Sequence, residues 1–215
     1  LVPLWNNDLA AVKQIEMANF NYQLLAVDGS QIYPNRHEGT SCSLINIGGI
    51  WLNYKDCESE IAFFSEPSIY FAQYREDHEI STESIDAHRH ELELKMALAK
   101  ALQYKKNAGF APVVLFDGAL IFWHLVDKPR LKKYYLKRYC ALLDQFYKSR
   151  ILIACYISLP KSKELINLMR LYLKDCCSDH QEIRYLVDAD LAALFLNKFE
   201  RTIIFENQAS IVHEY

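Results

Sequence analysis

Glycine and proline are both scarce, six of each in 215 residues. Neither clusters with serine into a linker or a low-complexity tract, so the motifs are expected to share a single domain over residues 1–215. No Gly-rich phosphate loop and no Gly-x-Ser-x-Gly turn is present, which removes support for a nucleotide-hydrolysing motor and for an α/β hydrolase. A basic excess is missing too: 24 Lys and Arg stand against 27 Asp and Glu, a formal charge of −3. Coating a polyanion by bulk charge is thereby excluded, and any polyanion must meet a local patch. No run of about 18 uncharged apolar residues occurs. The N-terminus has neither the basic flank nor the long apolar stretch of a signal peptide, so a soluble, cytoplasmic protein without a membrane anchor is expected. The six cysteines, at 42, 57, 140, 155, 176 and 177, include no Cys-x-x-Cys pair. Reduced thiols are expected, with Cys140 and Cys155 in apolar, buried surroundings and Cys176-Cys177 ending a helix.

What is there is core material: 51% of the residues are hydrophobic, enough to bury a sizeable interior. Apolar patterning predicts strands over 23–32, 41–54 and 60–73, separated by short polar turns and able to form an antiparallel meander. A helix follows from Ser81 to Asn107 with Gly109 as its stop. Then come a strand at 113–119, a helix from about Pro129 to Ser149 carrying the stripe Leu131, Tyr135, Tyr139, Leu142, Phe146, a strand at 151–157 and a helix at 162–175. Residues 184–197 read as loop then helix, and 202–206 as a short strand. Three antiparallel strands followed by parallel strand-helix units make an α/β fold with a ribonuclease H-like mixed sheet. Architecture of this kind does not by itself fix the chemistry.

The chemistry is sought in carboxylates. Two Asp-Gly pairs occur, Asp28-Gly29 and Asp117-Gly118, and each closes an apolar run, LLAVDGS and VVLFDGA. A lone Asp-Gly reads as an ordinary turn. Two of them on neighbouring strands would bring both carboxylates to one rim, where mutual repulsion is relieved by a hard cation such as Mn²⁺ or Mg²⁺. The helix beginning at Ser81 offers a third carboxylate. Glu91 and Glu93 point about 200° apart, so only one can face the rim. Glu93 is chosen because Ala97, one turn on, leaves space for a ligand, while Glu91 pairs with Lys95 on a solvated face; surface charge is the alternative for both.

Lys128, Arg130, Lys132, Lys133, Lys137 and Arg138 surround Tyr134, Tyr135 and Tyr139. The cluster reads first as a solvated helix face, with Lys132 and Lys133 as its candidates for contact with a nucleic-acid strand. Lys161 and Ser162, between a strand and a helix, are placed to meet a phosphate through backbone N–H groups and the helix dipole, or simply to cap the helix. His78, His88 and His90 fit no zinc spacing and read as exposed polar residues. His124 reads as a partly buried, hydrogen-bonded histidine.

Five segments resemble the NurA nucleases: AVDGSQI at 26–32, RHELELKMA at 89–97, VVLFDGAL at 113–120, YISLPKSKEL at 156–165 and DADLAALFLNKFERTIIF at 188–205. They follow the family's order and span nearly the whole chain. The resemblance implies a ribonuclease H-like fold, Mn²⁺-dependent cleavage of single-stranded DNA with 5′ to 3′ exonuclease action, a homodimer, and partnership with a HerA-type hexameric translocase at DNA ends. It also implies Asp28, Glu93 and Asp117 as the metal-binding carboxylates. Departures exist. The family's Gly-Glu-Arg-Ser is Phe199-Glu200-Arg201-Thr202 here, and the basic residue of its strand-to-helix turn is Lys161. Its site Tyr and His are expected in a C-terminal portion beyond this chain, since His213 and Tyr215 lie too near the Glu-Arg-Thr segment to take those roles. Besides a nuclease, the residues allow a noncatalytic DNA- or translocase-binding subunit that retains the fold. They also allow phosphoryl transfer through an aspartyl-phosphate at Asp28.

Overall fold

The structure, a computed structural model, describes residues 4–6, 8–16, 21–35, 42–55, 58–71, 81–176, 183, 185–206 and 208. His78, Cys57, Cys177, His213 and Tyr215 lie outside the described residues. In chain order the elements are β1 Lys13–Gln14, β2 Tyr22–Ile32, β3 Cys42–Tyr54, β4 Glu60–Phe71, α1 Thr82–Ala108, β5 Val113–Asp117, α2 Pro129–Lys148, β6 Ile153–Tyr156, α3 Glu164–Cys176, α4 Asp188–Ala193 and β7 Glu200–Arg201. A 3₁₀ turn at Trp123–Leu125 precedes α2. The chain divides into two compact units, Phe20–Tyr156 and, separately, Leu1–Asn19 with Ile157–Tyr215.

The larger unit holds a five-stranded sheet of order β4-β3-β2-β5-β6. Strands β2, β3 and β4 are antiparallel neighbours. Strands β5 and β6 join parallel to β2, each reached through a crossover helix, as parallel pairing requires. This is the ribonuclease H-like arrangement. Alternation along the strands sends Gln23, Leu25 and Val27 of β2, Ile45 and Ile47 of β3, and Val114 and Phe116 of β5 into one core beneath α1 and α2. Each large apolar side chain among these contributes roughly 1.5–3 kcal/mol by leaving water. The opposite face of the sheet is exposed, with Phe63 at 75% and Phe71 at 71% of their free surface.

Helix α1 is bounded at both ends by its own chemistry. The Ser81 side chain accepts from Ser84 N at 3.1 Å, and Gly109 closes the helix at φ 81° with its N–H on the Lys105 carbonyl. Ala87, Ala97 and Ala101 are fully buried; their lack of bulk brings the helix close to its neighbours. The space expected at Ala97 for a ligand is therefore not there, because core side chains fill it. The Tyr139 hydroxyl donates to the Ala87 carbonyl at 2.5 Å and ties α2 to α1. Among the described residues no helix is long and apolar enough to cross a membrane.

In the smaller unit β1 pairs antiparallel with β7, and Leu4 bridges Glu206. The strand expected at 202–206 is thus corrected to Glu200–Arg201 plus a single bridge. Cys42, Cys140 and Cys155 are free thiols.

Candidate active site

Asp28 and Asp117 meet on adjacent parallel strands. The last registered pair of β2 and β5 is Val27 with Phe116, so the two aspartates stand one position further along each strand. Val27 and Phe116 are buried, and alternation turns both carboxylates to the open face of the sheet. Neighbouring strands lie about 4.8 Å apart. Both aspartates line one shallow hollow of about 490 Å³ with Ser30, Asn46, Gly48 and Tyr156. Tyr156 is paired in register with Asp117. Its ring is 70% exposed, a contribution that patterning alone did not single out because a lone aromatic at a strand end carries no periodic signal.

The two Asp-Gly pairs do different work. Gly118 takes a left-handed φ of 94° and ends β5 at Asp117, as a turn glycine should. Asp28-Gly29 closes its apolar run but not its strand: β2 runs on to Ile32, the end expected for the strand at 23–32, paired with β3 throughout. Because β5 stops while β2 continues, a notch opens beside Asp28 where the helix-covered face reaches the open one. Gly29 faces α1 in that notch. A Cβ there would lie 2.5 Å from Glu93 Oε1 and 2.8 Å from Arg89 Cγ, so the missing side chain is what lets Glu93 sit against the residue that follows Asp28.

Glu93 is buried and held by its own helix. Its Oε1 accepts from Arg89 Nη1, and its Oε2 lies 3.1 Å from His90 Nδ1. The same Arg89 nitrogen donates to the Gly29 carbonyl at 3.3 Å. Glu91 points elsewhere, and its placement on a solvated face is corrected. It is 1% exposed, and its Oε1 accepts from Arg138 Nε at 2.9 Å and Nη2 at 2.6 Å, with Lys95 at 2.5 Å. Burial alone would push Glu91 upward, but His88, Arg138 and Lys95 together outweigh it and bring its pKa down to about 2.

His88 and His90, read as exposed, are half-buried instead. His88 meets the edge of Tyr70, and His90 stacks on His124 at 4.7 Å. His124 Nε2 is buried without a hydrogen-bond partner, a correction to the bonded histidine expected there. Burial first, then the neighbouring His90 and Lys128, hold its pKa down to about 4.

The basic candidates of α2 do not line the hollow. Lys133 and Lys137 are exposed on the outer face of α2, and Lys132 is half-buried. Arg138 does not belong to a solvated face, being clamped to Glu91 and laid over Tyr134 at 4.8 Å. Lys161 and Ser162 belong to the smaller unit. The N-terminus of α3 does not present its donors to a phosphate: Asp188 accepts from the Ser162 hydroxyl at 2.6 Å, Glu164 N at 2.9 Å and Ile166 N at 3.0 Å. Capping is what those groups do in this structure, with a carboxylate where a phosphate was expected.

Asp28 Oδ1 accepts from Gly29 N at 2.8 Å, and no described basic side chain is ion-paired with Asp28 or Asp117. Two adjacent carboxylates without a cation form a hard oxygen donor pair that suits a divalent ion such as Mn²⁺ or Mg²⁺. Among the described residues no group of three or more His, Cys, Asp or Glu side chains is gathered to hold a metal. Glu93 does not line the hollow, and Arg89 and His90 both engage it.

Strand order and the paired aspartates define a ribonuclease H-like α/β domain with an acidic rim. The chain belongs to the NurA domain family, a nuclease family, whose model matches residues 22–211. Among curated proteins none matches. A crystal structure of NurA bound to dAMP and manganese shares 14% identity at a TM-score of 0.33, covering 93% of this chain and 53% of that one. A crystal structure of NurA with manganese shares 12% identity at a TM-score of 0.33, covering 98% and 54%. The solution structure of the prototype foamy virus RNase H domain shares 16% identity at a TM-score of 0.37, covering 82% and 97%. The chain thus spans about half the length of these two NurA structures.

Proposed function

We propose that this chain is the catalytic core of a metal-dependent deoxyribonuclease that cuts single-stranded DNA and trims DNA ends. One observation carries the reading: Asp28 and Asp117 project from adjacent parallel strands onto one open hollow without a basic partner among the described residues. Bound there, a Mn²⁺ or Mg²⁺ ion would supply Lewis-acid stabilisation of a phosphodiester and activation of water. Asp28 and Asp117 would hold it, with Glu93 as the third carboxylate. Tyr156 offers an exposed ring to an unstacked base beside the cut. An open hollow on a sheet face suits a flexible strand.

Endonuclease and 5′ to 3′ exonuclease action, a role in end resection during double-strand break repair, a homodimer and a HerA-type hexameric translocase as partner belong to the same proposal. They rest on membership of the family. The test is digestion of end-labelled single-stranded DNA with Mn²⁺, Mg²⁺ or chelator, using this chain and its full gene product side by side. Cleavage that needs the metal and stops with chelator supports the reading; chelator-resistant cleavage contradicts it.

A second reading is favoured by one feature. With Glu93 engaged by Arg89 and His90, a subunit that binds DNA or a translocase without turnover would keep this geometry unchanged. Binding of labelled single strands without cleavage by either protein, at any Mn²⁺ concentration, would select it.

A further inference from the structure

We propose that Arg89 is the resident counter-ion of Glu93, a positioning residue that an incoming divalent cation must displace. The inference rests on the reading of Asp28, Glu93 and Asp117 as the metal-holding carboxylates. Glu93 is a buried carboxylate at the notch beside Asp28, and without a cation such a charge is poorly tolerated. Arg89 supplies that cation from one helical turn away. One nitrogen, Nη1, serves both the Glu93 carboxylate and the Gly29 carbonyl. The Nε of the same side chain is buried with no partner.

The comparison with Arg138 shows what is unusual. Arg138 grips Glu91 with two nitrogens, at 2.9 Å and 2.6 Å, and gives a third to the Tyr134 hydroxyl at 2.8 Å. That is a two-armed clamp of the kind that fixes structure. Arg89 holds Glu93 by one arm and leaves a buried donor unsatisfied, so a competitor has fewer bonds to replace than at Glu91. A divalent ion concentrates twice the charge at a point, and it competes with the guanidinium bonded to Oε1. The affinity of the site for metal is therefore set partly by how readily Arg89 lets go, and on release Glu93 is free to turn toward the strand that carries Asp28.

The experiment is a Mn²⁺ titration of the full chain, following free ion by electron paramagnetic resonance and the metal-induced shift in Tm. Arg89→Gln removes the charge but keeps a donor for the Gly29 carbonyl; Arg89→Met removes both. Either variant should bind Mn²⁺ about tenfold more tightly than wild type, equivalent to about 1.4 kcal/mol of relieved competition, and should have a lower Tm without metal. In a Glu93→Gln background the Arg89 substitution should no longer change the affinity. Unchanged or weaker binding in both Arg89 variants overturns the inference, as does an effect that persists without Glu93. Should both variants fail to fold, the Arg89 Nε–H signal in a ¹⁵N-correlated spectrum of the unaltered chain decides: it should move during a Mg²⁺ titration with the binding midpoint, and a stationary signal overturns the inference. If neither wild type nor the Arg89 variants bind Mn²⁺ in a manner that depends on Asp28, the ligand assignment itself fails and the inference falls with it. That result is distinct from Asp28-dependent binding that is indifferent to Arg89.

Discussion

Two glutamates separated by one leucine on α1 have opposite assignments. Glu91 is a structural carboxylate, gripped by Arg138 and Lys95, and Glu93 stands at the notch beside Asp28. Glu91→Gln should lower stability by about 1–2 kcal/mol, the scale for a buried charge-assisted bond whose cationic partners can still reach water, and should leave Mn²⁺ binding unchanged. Glu93→Gln should instead weaken Mn²⁺ binding, and it should also lower stability because Arg89 is left buried without its counter-ion. Urea unfolding and a Mn²⁺ titration of both variants check the pair, and equal effects on metal binding would remove the distinction. His124 adds an acid-sensitive residue. Its pKa is depressed from 6.5 to about 4, so between those values the unfolded chain binds a proton that the folded chain does not. Stability is then complete above about pH 6.5 and falls as pH drops toward 4, by up to about 3 kcal/mol. The depressed Glu91 contributes above about pH 4.5, and its share is lost as pH falls toward 2. Urea unfolding between pH 7 and 4 should show that decline in wild type and a flatter profile in His124→Asn; parallel profiles would contradict it.

At the scale of elements, unequal strand lengths make the site. β5 stops at Asp117 and β2 does not stop at Asp28, which leaves Gly29 open to α1. Gly29→Ala would place a methyl against Glu93 and Arg89, both held in place, so it should cost about 1–3 kcal/mol of stability and disturb metal binding more than the fold. Thermal unfolding and Mn²⁺ affinity of this variant test the point, and a variant with wild-type affinity would show that the close approach is not needed. The main strands and helices of the larger unit were legible because their apolar periods are long and their caps are plain, as at Ser81 and Gly109. Both Asp-Gly pairs were visible as carboxylates, but Asp-Gly is a turn signal whatever strand pairs beside it, and of the two aspartates Asp117 alone ends its strand. The ion pair of Glu91 with Arg138 was hidden for a related reason: its partner is 47 residues away, and helical spacing reports neighbours on one helix only. The apolar stretch at 202–206 shows the same limit, since Glu200–Arg201 beside it pair with Lys13–Gln14 and its own Glu206 bridges Leu4, both far away in sequence.

At the scale of the molecule, the larger unit carries the sheet, both aspartates and Glu93, and the smaller one carries Lys161 and Ser162. The account stands on the single claim that Asp28 and Asp117 hold one cation between them. It is tested most directly by cleavage of end-labelled single-stranded DNA in Mn²⁺ by the wild-type protein, Asp28→Asn and Asp117→Asn, with circular dichroism to confirm equal folding. The account predicts a loss of at least about 10³-fold for each variant, near 4 kcal/mol of transition-state stabilisation. Cleavage by either folded variant at the wild-type rate would contradict it.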